Sequence, residues 1–187
     1  MKIFIVSGPA GAGKTTLLNI LFKDKDIKKR FIKAISYTTR KIREREKNKR
    51  DYYFVDKKEF LKLKRKNFFL ESQKVLDNYY GTPKCFYNQA KEEDKNLILC
   101  IDVKGAMYLK KNLKNDKIIT IFVLAEDKDE LCNRLKKRFE EEDTIKKKLN
   151  LAKKELKFSK YYDYIITNKN LKDTLKIFKK ILLKDYE

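Results

Sequence analysis

Residues 8–15 read GPAGAGKT, that is Gly8, Pro9, Ala10, Gly11, Ala12, Gly13, Lys14 and Thr15. Three of the chain's five glycines fall here. The preceding Lys2–Ser7, KIFIVS, is a short apolar run rich in β-branched residues and predicts a buried strand. The following Lys14–Phe22, KTTLLNILF, predicts a helix. The glycines therefore sit between a strand and a helix, in the spacing G-x-x-x-x-G-K-[ST]. A polyphosphate must lie against several backbone N–H groups at once. Side chains would hold it away, and some positions need φ > 0, so glycine is used. The helix points the positive end of its dipole at the same anion. Lys14 adds a charge for the outer phosphates, and the Thr15 hydroxyl is a ligand for Mg²⁺. Gly8 to Thr15 is thus the expected nucleoside-triphosphate site, with Mg²⁺ bound alongside the nucleotide.

Outward from this loop, apolar strands alternate with helices. Strands are expected at Phe31–Ser36, Asp51–Val55, Leu97–Ile101, Ile118–Leu124 and Tyr164–Thr167. Helices are expected at Lys57–Lys66, Gly105–Leu113, Lys128–Phe139, Thr144–Phe158 and Leu171–Leu183. This alternation predicts an α/β fold with a parallel sheet core. Residues 35–97 depart from it and read as an inserted lobe. Arg40–Arg50, almost wholly charged, reads as an exposed loop. Ile145, Leu149, Ala152 and Leu156 form one apolar stripe expected to be core.

The chain has 187 residues and a net charge of +21, with no histidine. Lacking histidine, it has no His-dependent triad, so its chemistry runs on carboxylates, cations, hydroxyls and backbone. Its three cysteines, Cys85, Cys100 and Cys132, are far apart, which argues against a disulfide framework or a metal cluster. No apolar run approaches the about 20 residues that cross a bilayer, and no signal peptide is recognisable, so a cytoplasmic protein is expected. Of 48 basic residues only eight are arginine. Lysine is spread along the whole chain, so a solvated surface is expected rather than nucleic-acid binding. The arginines instead cluster: Arg40, Arg43, Arg45 and Arg50 in one segment, Arg134 and Arg138 in another. Two such clusters suit two small anion sites. Arg134 and Arg138 stand four apart on one expected helix before the acidic Glu140–Asp143, where they can clamp a triphosphate or pair with Glu130 or Glu141.

A phosphoryl transferase needs an acceptor site facing the donor. Ser36, Arg40, Arg43 and Tyr52 form one candidate stretch and Tyr79, Tyr80, Gly81 and Thr82 another; two arginines and two phenols suit a phosphate monoester. Glu71, in the neutral setting FLESQ, suits guanine, whose N1–H and N2–H₂ are adjacent donors that one carboxylate accepts together. The stretch Asn78–Thr82, NYYGT, adds further hydroxyls.

At this point the sequence resembles the guanylate kinase family. Ser36, Thr38, Thr39, Arg40 and Arg43 match its S-x-T-T-R-x-x-R; Asp51, Tyr52, Phe54 and Val55 match D-Y-x-F-V. Phe69, Glu71 and Asn78–Thr82 match F-x-E followed by N-Y-Y-G-T, and Asp102–Gly105 match D-V-x-G. The resemblance covers nearly the whole chain. It implies the three-layer P-loop NTPase fold: a parallel sheet core (residues 1–34, 83–125 and 160–187), a mixed α+β GMP-binding lobe (35–82) and a helical lid (126–159). It implies transfer of the γ-phosphoryl of ATP to GMP, and to dGMP, with Mg²⁺. Arg40, Arg43, Tyr52 and Tyr80 would hold the GMP phosphate. Glu71, Ser36 and Thr82 would hold guanine, with Gly81 beside them. Asp102 would lie near the acceptor or the metal's water shell. Lys14, Arg40, Arg134 and Arg138 would be catalytic. The family's Pro-x-x-Gly-Glu after the first Arg appears here as Ile42, Glu44, Arg45 and Glu46, so the arginine loop lacks the Pro and the Gly; further departures are Cys100, Lys104 and Lys148. The alternatives are a kinase for another nucleoside monophosphate, which the Glu71, Ser36 and Thr82 set opposes, and a non-catalytic binding module, which the intact phosphate loop opposes.

Overall fold

A computed structural model describes residues 1–44, 46–138 and 141–184. Strand β1 (Lys2–Ser7) is the one expected before the glycines. Ile3, Phe4, Ile5 and Val6 are all buried, as suits a strand covered on both faces. It is the middle strand of a five-stranded sheet ordered β2 (Phe31–Lys33), β7 (Asn96–Cys100), β1, β8 (Lys117–Ala125), β9 (Tyr164–Asn168). β2 runs parallel to β7, and β8 parallel to β9. The α/β fold with a parallel sheet core is the one the alternating pattern predicts.

The chain divides into two compact units. The first comprises Met1–Ile5 and Lys29–Ile118. Besides β2 and β7 it holds a second, four-stranded sheet ordered β4 (Tyr53–Phe54), β3 (Tyr37–Thr38), β6 (Asn78–Pro83), β5 (Phe69–Val75). β3 pairs parallel with β4 and antiparallel with β6, so this sheet is mixed. Helix α3 (Lys57–Arg65) is capped by Asp56, whose carboxylate accepts the Glu59 N–H at 2.7 Å. The α3 residue Phe60 stacks on Phe69 with centroids 4.6 Å apart and lies 5.5 Å from the Tyr79 ring. Tyr79 is thus a packing residue. α4 (Lys84–Glu92) and α5 (Val103–Asn112) complete the unit.

The second unit comprises Val6–Lys28 and Ile119–Glu187. It holds α1 (Lys14–Leu21), α6 (Lys128–Lys136), α7 (Glu142–Leu156) and α8 (Leu171–Leu183), while α2 (Lys25–Arg30) contributes Lys25–Lys28 to it and its last two residues to the first unit. α7 opens with Glu142 and Asp143 in its first turn, where the helix dipole favours negative charge.

Several expectations are corrected. The strand expected over 31–36 ends at Lys33, because β3 opens a different sheet. α2, α4 and the β5–β6 hairpin were not anticipated. The helix expected over 128–139 ends at Lys136, so Arg138 lies in the turn after α6; Phe139 and Glu140 fall outside the described residues, as does Arg45. Of the apolar stripe on α7, Ile145 and Ala152 are buried, but Leu156 is 43% exposed, because α7 ends there and leaves its last apolar residue in solvent.

Candidate functional site

The phosphate loop belongs to the second unit. Gly8 has φ 135° and Gly13 φ 92°, in the region that favours glycine. A Cβ on Gly8 would run into the Val123 carbonyl oxygen, and one on Gly13 into the Asn168 amide. The glycines are therefore required by close approach of neighbouring strand ends as well as by room for a ligand. The loop closes on itself through Ala12 N–H to Pro9 O (3.1 Å), and Gly13 caps α1. Lys14 opens α1, and its Nζ donates to the carbonyls of Gly8 (2.5 Å) and Pro9 (2.9 Å). The ammonium is thus held over the loop, where an incoming phosphate chain would meet it. Thr15 follows in the first turn, half-buried.

Asn168, at the end of β9, donates its side-chain amide to Ala12 O at 2.8 Å. Its carbonyl accepts from Arg134 Nη2 at 3.1 Å. Arg134 also makes the pairing foreseen with Glu130, through Nε to Oε1 at 2.6 Å. The structure therefore brings Arg134 beside the loop, through Asn168. Arg138 and Lys148 are half-buried in the same unit. Asn168 was missed by the sequence reading; its only signal is its place at the end of a parallel strand, where such sheets carry their sites.

The residues expected to hold the acceptor belong to the first unit. In the β5–β6 hairpin the register steps between Phe69 and Glu71, so that Glu71 pairs with Thr82. Glu71 is 4% exposed. Its Oε1 accepts the Thr82 N–H (3.1 Å) and hydroxyl (2.8 Å). Ser36 Oγ lies 3.1 Å from Thr82 Oγ1. With the Thr82 proton spent on Glu71, Ser36 is the donor of that bond. Glu71 Oε2 faces Gly105 on α5, where an added Cβ would come within 2.8 Å of it. Asp102 caps α5, its Oδ1 accepting the N–H groups of Lys104 (2.7 Å) and Gly105 (3.1 Å). The sequence left Asp102 between two roles; the structure adds a third, structural one.

Arg40 is clamped by Glu46, with Nη1 to Oε2 at 2.9 Å and Nη2 to Oε1 at 2.8 Å. Arg43 Nη1 lies 3.6 Å from the same carboxylate. The guanidinium sits 5.5 Å from the centre of the Tyr52 ring, and the Tyr52 and Tyr80 rings are 6.1 Å apart. Two arginines and two phenols are thus gathered as expected. The Tyr52 phenol is pushed well above its ordinary range, chiefly by burial, and so stays a neutral donor.

Burial pushes the Glu71 carboxyl up to about 7; the nearby Asp102 adds to this and the Thr82 hydrogen bonds oppose it. Burial raises Asp102 as well, against the pull of its two backbone hydrogen bonds. Accepting two guanine donors requires the Glu71 carboxylate to be ionised. In the ligand-free protein it is about half protonated near pH 7. The expected result is that kcat/KM for GMP rises with pH and levels off above pH 7. This limb should be absent from a Glu71→Gln variant, which separates it from titration of the GMP phosphate itself near pH 6. A parent profile flat from pH 6 to 8 would count against the ionised form as the guanine ligand.

Among the described residues no group of three or more His, Cys, Asp or Glu side chains is placed to hold a metal ion. The Thr15 hydroxyl, the ligand expected from the sequence, is a hard oxygen of the kind Mg²⁺ takes alongside nucleotide phosphates and water.

Residues 1–185 match the family model described as guanylate kinase. A guanylate kinase of Protochlamydia amoebophila is 40% identical over 186 residues, covering 99% of this chain and 91% of the relative. One from Mycoplasma genitalium is 39% identical, covering 99% of this chain and 76% of the relative. The crystal structure of guanylate kinase from Anaplasma phagocytophilum superposes with a TM-score of 0.79 at 27% identity, covering 99% of this chain and 85% of that one. Loop, hairpin carboxylate and arginine pair thus occur in a chain that is matched over nearly all of its own length, and it belongs to the guanylate kinase family.

Proposed function

We propose that this protein transfers the γ-phosphoryl group of ATP to GMP, giving ADP and GDP, and accepts dGMP in the same way. The observation that carries the reading is the buried Glu71 carboxylate, with its Oε1 held by Thr82 and Ser36 beside it, in a chain whose phosphate loop is intact. A GMP phosphate oxygen forms the new bond to the γ-phosphorus, in line with the bond to the β,γ-bridging oxygen. That bond breaks, and its electron pair leaves on ADP. The attacking oxygen is already anionic near neutral pH, so no general base is needed, in keeping with a chain without histidine.

Gly8 to Thr15 hold the triphosphate through backbone N–H groups, and Lys14 offsets charge on its outer phosphates. Arg40, Arg43, Tyr52 and Tyr80 hold the GMP phosphate. Glu71, Thr82 and Ser36 select guanine, with Gly81 keeping the hairpin close-packed and Asp102 alongside. Arg134 and Arg138 draw in on the transferring group. The Thr15 hydroxyl would hold Mg²⁺, which when bound would supply positive charge against the charge of the triphosphate. Residues 35–82 act as the GMP lobe, 126–159 as the lid, and the remainder as the core. Among the described residues no helix is long and apolar enough to cross a membrane. Working on dissolved ATP and GMP, the enzyme is assigned to the cytoplasm.

ADP release measured with GMP, dGMP, AMP, CMP, UMP and dTMP tests the reading. GMP and dGMP should support turnover, and AMP should fall behind by about 10²-fold or more in kcat/KM, since the unpaired carboxylate rejects a base lacking the N1–H donor. Comparable rates with AMP or the pyrimidines would overturn it.

A further inference from the structure

Glu46 was not among the site residues read from the sequence, yet its carboxylate takes two hydrogen bonds from Arg40 and lies beside Arg43. An arginine has five N–H donors. In Arg40, Nη1 gives one to Glu46 Oε2 (2.9 Å) and the other to the Lys41 carbonyl (2.7 Å). Nη2 gives one to Glu46 Oε1 at 2.8 Å. Three donors are therefore spent among the described residues. The two left over, Nε–H and the second Nη2–H, lie side by side and parallel on one edge of the guanidinium. That edge is a fork of the kind that grips two oxygens of one phosphate.

The rest of the setting fixes the fork in place. The Arg40 guanidinium carbon lies 5.5 Å from the centre of the Tyr52 ring and 5.6 Å from that of Phe54. Its side chain is 13% exposed and that of Glu46 17%. Glu46 is itself tied down, because Oε2 accepts the Arg43 backbone N–H at 3.0 Å. A carboxylate beside a phosphate site would ordinarily repel the ligand. Here it takes the end-on edge of Arg40 and leaves the side-on edge uncovered, so it is arranged to aim the arginine and not to replace the phosphate.

We infer that Glu46 is a positioning residue for the acceptor phosphate: with the Lys41 carbonyl it saturates three donors of Arg40 and presents the Nε–H and Nη2–H fork to two oxygens of the GMP phosphate. This rests on the reading of Arg40 as a phosphate ligand. Two opposing effects follow from removing the charge of Glu46. Less repulsion favours GMP binding, while a loosened Arg40 disfavours it. The two short bonds and the buried setting make the second effect the larger, because a glutamine amide accepts from one Nη and confronts the other with its own donors.

The test is titration calorimetry of GMP and of guanosine, which lacks the phosphate, with Glu46→Gln, Glu46→Asp and Arg40→Ala, together with steady-state kinetics. Glu46→Gln should weaken GMP binding by about tenfold, the scale of a lost charge-assisted hydrogen bond, while guanosine binds as before. KM for GMP should rise more than kcat falls, and Glu46→Asp should recover part of the loss. Arg40→Ala should lose GMP affinity at least as strongly. If Arg40→Ala binds GMP normally, the phosphate-site reading fails and the role of Glu46 fails with it. If Arg40→Ala loses GMP but Glu46→Gln binds it unchanged or more tightly, Glu46 is a bystander or a competitor and the proposal alone is overturned. An equal loss of guanosine would mean that Glu46 supports the lobe's fold, which also overturns it.

Discussion

Replacing Lys14 by alanine is expected to lower kcat by at least about 10²-fold, a loss of roughly 3 kcal/mol of transition-state stabilisation. Lys14 is the one side chain through which the loop delivers a full charge; the other loop positions are uncharged. Its Nζ is held by the carbonyls of Gly8 and Pro9, so the ammonium is already aimed when ATP arrives. As charge moves onto the β,γ-bridging oxygen, that ammonium can follow it at little reorganisation cost. Alanine leaves the backbone donors, so ATP binding should weaken less than turnover falls. The fold should survive, because the loop's shape rests on Gly8 and Gly13 and on the Asn168 amide bonded to Ala12. Single-turnover kinetics with a thermal melt as control read both effects. A folded variant with near-parental turnover would remove the loop lysine from the mechanism.

Glu71→Gln should cut kcat/KM for GMP by about 10²-fold or more while changing KM for ATP little. Guanine offers two adjacent donors, and a glutamine meets one of them with its own N–H₂. The same substitution should make the protein more stable at pH 8. The Glu71 carboxyl is raised from an ordinary 4.5 to about 7, mainly by burial. A raised carboxyl favours the folded state only while it is protonated. Below about pH 4.5 it is protonated in both folded and unfolded chains and carries no penalty. The penalty grows between pH 4.5 and 7 and is complete above that, on the order of 3 kcal/mol at pH 8. Glutamine keeps an oxygen for the Thr82 N–H and hydroxyl but has no charge to desolvate. Melting temperatures of parent and variant should therefore diverge as pH rises from 5 to 8. A variant that retained parental guanine preference would move base recognition away from Glu71, and parallel melting curves would refute the buried charge.

Sequence alone determined the parts of this protein that depend on neighbours along the chain. The phosphate loop was legible because its strand, glycines, lysine and helix are contiguous, and β1 and α8 have the expected limits because both carry strong local periodicity. Arg40, Arg43 and Glu71 could be named from residue type and family resemblance. The β5–β6 hairpin could not, since its two-residue connection, Leu76 and Asp77, lacks the glycine or asparagine that signals a tight turn, and Leu76 takes φ 51° without one. The pairing of Glu71 with Thr82 follows from a register step within that hairpin, which no spacing in the sequence encodes. Asn168 lies 156 residues from the loop carbonyl it binds, and the clamp on Arg40 comes from Glu46, a residue that reads locally as one more charge in a charged loop. Backbone hydrogen bonding and apolar period are local properties, so they can be read along the chain. Which carboxylate becomes buried, and which arginine edge is left open, depends on what distant segments bring alongside, and only the folded structure decides it.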